Sequence, residues 1–145
     1  MTSTIRGPRI IEVNARLGGG RVADYVRAVW GVDLVEAQLR SCLDLPPQLK
    51  PSRKPQRAVV DVIVHAPASG RLMAMPFGEV ATDERTRIEL DIDVQIGAEV
   101  NGPEEVFATV LAELSVIGKD LRHARALAAQ VLRDPPVVAL VSPSV

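Results

Sequence analysis

Residues 87–96 alternate strictly, with Ile88, Leu90, Ile92, Val94 and Ile96 on one side and Arg87, Glu89, Asp91, Asp93 and Gln95 on the other. Period-two alternation over ten residues is a β-strand with one buried and one wet face. Such strands belong to antiparallel sheets, because the strands of a doubly wound parallel sheet are buried on both faces. The flanking segments agree. Residues 58–66 are rich in Val and Ile, Pro67-Ala68-Ser69-Gly70 is a turn, and residues 71–80 complete a predicted hairpin. Asn101-Gly102-Pro103 turns the chain again, residues 106–117 read as a further strand, and residues 118–133 read as a closing helix stopped by Asp134-Pro135-Pro136.

The first third has helical periodicity. Val22, Val26 and Val29 recur at helical spacing with Tyr25 beside them, so residues 21–30 form a helix that Gly31 ends in a left-handed turn. Asp33 and Glu36 make a capping box for a second amphipathic helix carrying Val35, Leu39 and Cys42, which Pro46-Pro47 terminates. Cys42 falls on the apolar stripe and reads as an inert core thiol. Between the two halves, residues 47–57 are proline-rich and basic, an extended linker. The order of elements is a strand, two helices, four antiparallel strands and a helix. It predicts an α+β protein, an antiparallel sheet with flanking helices, divided as 1–46, 47–57 and 58–145.

Ahead of the first helix stands Ile-Glu-Val-Asn-Ala-Arg-Leu-Gly-Gly-Gly-Arg, residues 11–21. If residues 10–17 are extended, as expected after the Gly7-Pro8 turn signal, Glu12, Asn14 and Arg16 share one face while Ile11, Val13, Ala15 and Leu17 form a buried row. A carboxylate and an amide oxygen one pleat apart suit a hard cation such as Mg²⁺. Arg16 adds a planar donor fork for phosphate or carboxylate. Gly18-Gly19-Gly20 lets backbone N–H groups and a helix N-terminus approach an anion. Gly18, Gly20 and Ala23 also match a relaxed dinucleotide fingerprint, but no acidic residue ends a second parallel strand and the later strands are antiparallel, so that reading fails on context.

Glu12-Val-Asn14-Ala-Arg16-Leu-Gly18-Gly19-Gly20 resembles the Glu-x-Asn-x-Arg-x-Gly-Gly signature of ATP-grasp carboxylate-amine ligases, especially those that join amino acids. The continuation through Val26, Trp30, Gly31, Val32, Asp33 and Leu34 is similar too, and residues 58–133 are more loosely similar to the family's C-terminal subdomain. The resemblance implies that residues 1–46 are the end of the catalytic lobe and the remainder the C-terminal part of the fold. It implies Glu12 and Asn14 as ligands of Mg²⁺ or Mn²⁺, Arg16 as a catalytic contact to phosphate or acyl phosphate, and Gly18, Gly19 and Gly20 as lining for an amino-acid or other carboxylate substrate. ATP would be the co-substrate. In the family the signature comes late, whereas eleven residues precede Glu12 here. The expected partner is therefore the N-terminal ATP-grasp portion or a split subunit, without which the chain should be inactive; a second copy of the chain is a further candidate. The alternative is a non-catalytic accessory module derived from the same fold.

Composition narrows the remaining classes. Seventeen basic against eighteen acidic residues, with one Trp, one Tyr and two Phe, give neither the field nor the stacking surface of a nucleic-acid binder. No apolar run nears the ~20 residues of a membrane span, residues 137–141 being only strand length. One cysteine and no recognisable leader point to the cytoplasm. His65 and His123 lack ligand partners at metal spacing and read as structural or surface groups. Glu89, Asp91 and Asp93 read as a solvated face, and Met73 and Met75 as hairpin packing.

Overall fold

The computed structural model describes residues 2–4, 7–10, 13–14, 16–80, 83 and 86–140, and the chain divides into two compact units, Met1–Pro55 and Gln56–Val145. The first unit opens with β1 (Thr2–Thr4) paired antiparallel to β2 (Gly7–Arg9). Gly7-Pro8 thus begins a strand and is not the turn the sequence suggested. Residues 10, 13, 14, 16 and 17 lie in no strand. Val13 is 86% exposed, so the expected buried row is not formed there. Strand β2 pairs with β1 and ends at Arg9, ahead of the segment expected to be extended. Ile11, Glu12 and Ala15 lie outside the described residues.

Helix α1 (Val22–Trp30) ends at Gly31, whose left-handed backbone (φ 70°) lets its N–H donate to the Arg27 carbonyl. Helix α2 (Leu34–Cys42) starts on Asp33, whose carboxylate accepts from the Glu36 N–H at 2.9 Å. Half of the capping box forms. Glu36 turns its own carboxylate to Arg40 at 2.9 Å, a surface pair at i, i+4, and Arg27 holds the other oxygen of Asp33. The second helix buries only Ala37, leaving Val35, Leu39 and Cys42 exposed, so Cys42 is not the core thiol the stripe predicted. Spacing identifies an apolar face but not whether anything covers it.

The Asp33 cap makes α2 acid-sensitive. The Glu36 N–H, partly opposed by desolvation and aided by the Arg27 charge, holds this carboxyl below its ordinary range. A lowered folded-state value means the stabilisation is complete above the ordinary value of about 3.9 and is lost as pH falls through the lowered one. Helical circular dichroism followed from about pH 5 to pH 2 should therefore show an acid loss that is smaller in Asp33→Asn. An unchanged acid profile in that variant would contradict the cap.

Residues 45–57 form neither helix nor strand, and the Ser52 N–H donates to the Trp30 carbonyl at 2.9 Å.

The second unit has two three-stranded sheets. In the first, β7 (Val110–Gly118) lies between β3 (Ala58–His65) and β5 (Arg87–Ile92), antiparallel to both. In the second, β4 (Gly70–Ala74) lies between β6 (Glu99–Val100) and β8 (Val137–Ala139). Strand β7 is central, and it is buried along most of its length. Its Leu114 and Val116 pack with Ala124, Leu127, Ala128 and Val131 of α3 (Leu121–Val131), while Leu111 joins Ala66, Leu72 and Val100 in a second cluster. Gly118 closes β7 where a Cβ would lie 3.1 Å from the Ala124 nitrogen, which lets the helix sit close on the strand. Leu114 is completely buried, and Leu114→Ala should cost about 2–5 kcal/mol of unfolding free energy, read by denaturant titration. A loss below about 1 kcal/mol would show that β7 and α3 do not carry the core.

Several expectations are corrected. The hairpin of residues 58–66 with 71–80 does not form: β3 bonds β7, and β4 joins the other sheet. The strand expected over 71–80 ends at Ala74. Alternation reports which face of a strand is wet, not which neighbour it bonds. The strand over 87–96 stops at Ile92, because the chain crosses between sheets: Asp93 N–H bonds the Leu111 carbonyl, and Gly97 N–H bonds the Leu72 carbonyl. Ile92 and Ile96 are consequently exposed. The strand over 106–117 begins only at Val110, with Val106 and Phe107 exposed in the preceding turn. Helix α3 starts at Leu121, capped by Asp120, and not at Gly118. Strands β6 and β8 are additional. The α+β class holds, with mixed helices and wholly antiparallel pairing among the described strands.

Candidate functional site

The glycine run leads directly into α1. Gly18 packs against Val22, where a Cβ would lie 3.1 Å from the valine side chain, and Gly20 takes a left-handed φ of 60°. Arg16 is exposed, and its Nη1 donates to the Leu17 carbonyl at 3.1 Å. A Cβ on Gly19 would sit 4.0 Å from the same Nη1. The guanidinium therefore lies along the glycine loop, with no side chain between it and the backbone.

The start of α1 is open. Its N-cap, Arg21, makes no side-chain capping bond, whereas α2 and α3 are capped by Asp33 and Asp120. An uncapped first turn presents backbone N–H groups and the positive end of the helix dipole. Asn14, Arg16 and Gly18 to Gly20 are all exposed, so a permanent cation, three glycines and a helix start without a side-chain cap occur within a few residues of one another. This arrangement is suited to a carboxylate or phosphate. Asn14 and Arg16 are exposed but lie on no strand, so the shared strand face expected of them is not seen; Glu12 lies outside the described residues.

The donor set agrees with a hard cation, since Glu12 and Asn14 offer only oxygen ligands. Among the described residues, no three of His, Cys, Asp and Glu come together as a metal site. Glu89 instead pairs with Arg87, and Asp91 lies opposite Glu113 on β7. His65 is exposed. Met75 packs on the second cluster, but Met73 is half exposed and does not contribute the packing expected of it.

Two groupings form only in the fold. Glu104 accepts the Ser69 N–H at 2.7 Å, and the Ser69 hydroxyl, its own backbone amide and the Ser69 amide hold its carboxyl below the usual range. His123 half-buries in the first turn of α3 beside Lys119, and both line a cavity with Arg57, Asp83 and Thr86. Neither has a sequence signature, because each depends on residues brought together by the fold.

No family model matches the chain. Over 67 residues, 46% of the chain, it is 39% identical to carnosine synthase 1 of Gallus gallus, of which it covers 7%. The fold of 94% of the chain matches the L-amino acid ligase of Bacillus licheniformis at a TM-score of 0.70 and 18% identity. The chain is similar to ATP-grasp carboxylate-amine ligases, in sequence over those 67 residues and in fold over most of its length. A second structure with this fold is the phosphoribosylglycinamide synthetase of Anaerococcus prevotii, with a TM-score of 0.57, 12% identity and 83% of the chain covered. The chain spans about a third of these two ATP-grasp structures, 33% and 30% of their lengths. Among the described residues, no helix is long and apolar enough to cross a membrane.

Proposed function

We propose that this chain supplies one wall of the catalytic site of an ATP- and Mg²⁺-dependent ligase that joins an amino acid, as the carboxylate or as the amine, through an acyl phosphate. The observation that carries the reading is the run from Glu12 to Gly20 opening into the uncapped start of α1, in a chain related to carboxylate-amine ligases. Glu12 and Asn14 would hold Mg²⁺, or Mn²⁺ in its place, which when bound neutralises phosphate charge and aligns it for transfer. The rest of the coordination shell would come from the phosphates of ATP and from the further ATP-grasp portion.

The chain's own groups act by position. Arg16 places its donor fork against the transferred phosphoryl group, where charge spread over equatorial oxygens must be balanced. Gly18 to Gly20 let the substrate carboxylate reach backbone N–H groups, and the open first turn of α1 favours its negative charge. The nucleotide-clasping groups and the second half of the site belong to a further ATP-grasp portion, in the same polypeptide or in a partner subunit.

Hydroxylamine trapping tests this reading, since an acyl phosphate is converted to a stable hydroxamate. The chain mixed with the product of the adjacent upstream reading frame should form hydroxamate from an amino acid, ATP and Mg²⁺, and addition of EDTA should abolish it. Its absence with all twenty amino acids would favour the accessory module.

A further inference from the structure

The second unit contains a cavity of about 410 Å³ lined by Gln56, Arg57, Asp83, Thr86, Lys119 and His123. These residues come from three places: the entry to β3, the segment before β5, and the junction of β7 with α3. Among them are two fixed cations and an imidazole against one carboxylate. The Asp120 carboxylate lies nearby but already accepts the His123 N–H at 2.8 Å as the cap of α3. Arg57 and Asp83 hold polar contacts of their own.

His123 is the unusual member. Its Nδ1 is buried without a hydrogen-bond partner, against Gly118, where a Cβ would lie 3.1 Å from it. A buried ring nitrogen with no partner costs about 1–3 kcal/mol, so a packed surface residue has little reason to keep it. His123 lines the cavity together with the Lys119 ammonium. The lining is otherwise polar, with Gln56, which like Arg57 and Asp83 holds a contact of its own, and the Thr86 hydroxyl.

We infer that this cavity binds a small molecule through a phosphate group, held by Arg57, Lys119 and His123. Cationic and imidazole groups that line one cavity from separate elements suit the tetrahedral oxygens of a phosphate better than the two coplanar oxygens of a carboxylate. The volume exceeds what a bare phosphate fills and lies in the range of small-ligand sites. The site is independent of the ligase reading, since none of its residues belongs to the Glu12–Gly20 run.

The test is an NMR titration of the chain at constant ionic strength with inorganic phosphate, glycerol phosphate and acetate in turn. Saturable shifts confined to the backbone amides of Arg57, Thr86, Lys119 and His123 are expected with both phosphates, and much weaker ones with acetate. Tighter binding of glycerol phosphate would identify a phosphorylated metabolite, and equal or tighter binding of inorganic phosphate the free ion. Lys119→Gln, an exposed residue ahead of the helix, should weaken binding at least about tenfold, equivalent to about 1.4 kcal/mol. Shifts that do not saturate, that spread over surface Lys and Arg residues, that persist in Lys119→Gln, or that favour acetate would overturn the proposal.

Discussion

Arg16→Ala should reduce ATP-dependent amide formation by about 10²–10³-fold while leaving the fold intact. The magnitude is that of removing one preorganised donor from a site where charge develops, and the guanidinium contributes at least that because its charge cannot be replaced by water. The structural half of the prediction follows from exposure: Arg16 is exposed and donates to the neighbouring Leu17 carbonyl at 3.1 Å. Asn14→Ala should behave alike, with the further signature that raised Mg²⁺ or Mn²⁺ partly restores the rate, because an amide ligand affects metal affinity directly. Arg53→Ala, an exposed cation of the connecting segment, is the control and should leave the rate unchanged. Loss of helical signal in Arg16→Ala would assign this residue to the fold and remove it from the site.

The second large effect is on stability. Gly70→Ala should destabilise the second unit by on the order of 3–5 kcal/mol, combining backbone strain with overpacking. Gly70 is buried with φ 151°, and an added Cβ would overlap the Ala139 carbonyl oxygen across the β4–β8 pairing. The methyl group cannot move away without parting the two strands. Gly97→Ala separates the two causes, since φ there is 94° but nothing lies within 4 Å of the added atom. That variant should lose only about 1–3 kcal/mol, the backbone term alone. Equal losses in the two variants, measured by denaturant titration, would show that the close approach of β8 to Gly70 contributes nothing.

What was legible in the sequence was local. Gly31 and Asp33 bound their helices where their chemistry demands, because a left-handed stop and a side-chain cap act within four residues. The partners of strands were not legible: residues 58–66 and 71–80 both read as strands, yet the buried Leu72 draws β4 toward Ala66, Val100 and Leu111 and away from β3. Strands β6 and β8 are too short, two and three residues, for periodicity to reveal them. Cys42 fell on an apolar stripe that the structure leaves exposed, since amphipathicity describes a face and not its cover. In the candidate site, residue types alone suggested the chemistry proposed for Asn14, Arg16 and the glycines. The strand assumed beneath them was wrong, and the uncapped start of α1 emerged only from the structure. His123 and Lys119 were invisible as a pair, because the cavity joins segments more than thirty residues apart, from Arg57 and Asp83 to Lys119.

The most direct measurement of the central claim is ADP release from Mg²⁺-ATP and pairs of amino acids, with the chain alone, with the upstream gene product alone, and with both. The account predicts release only in the mixture, abolished by EDTA and reduced by about 10²–10³-fold when the chain carries Arg16→Ala. No release in the mixture with any amino-acid pair, or release that Arg16→Ala leaves unchanged, would contradict it.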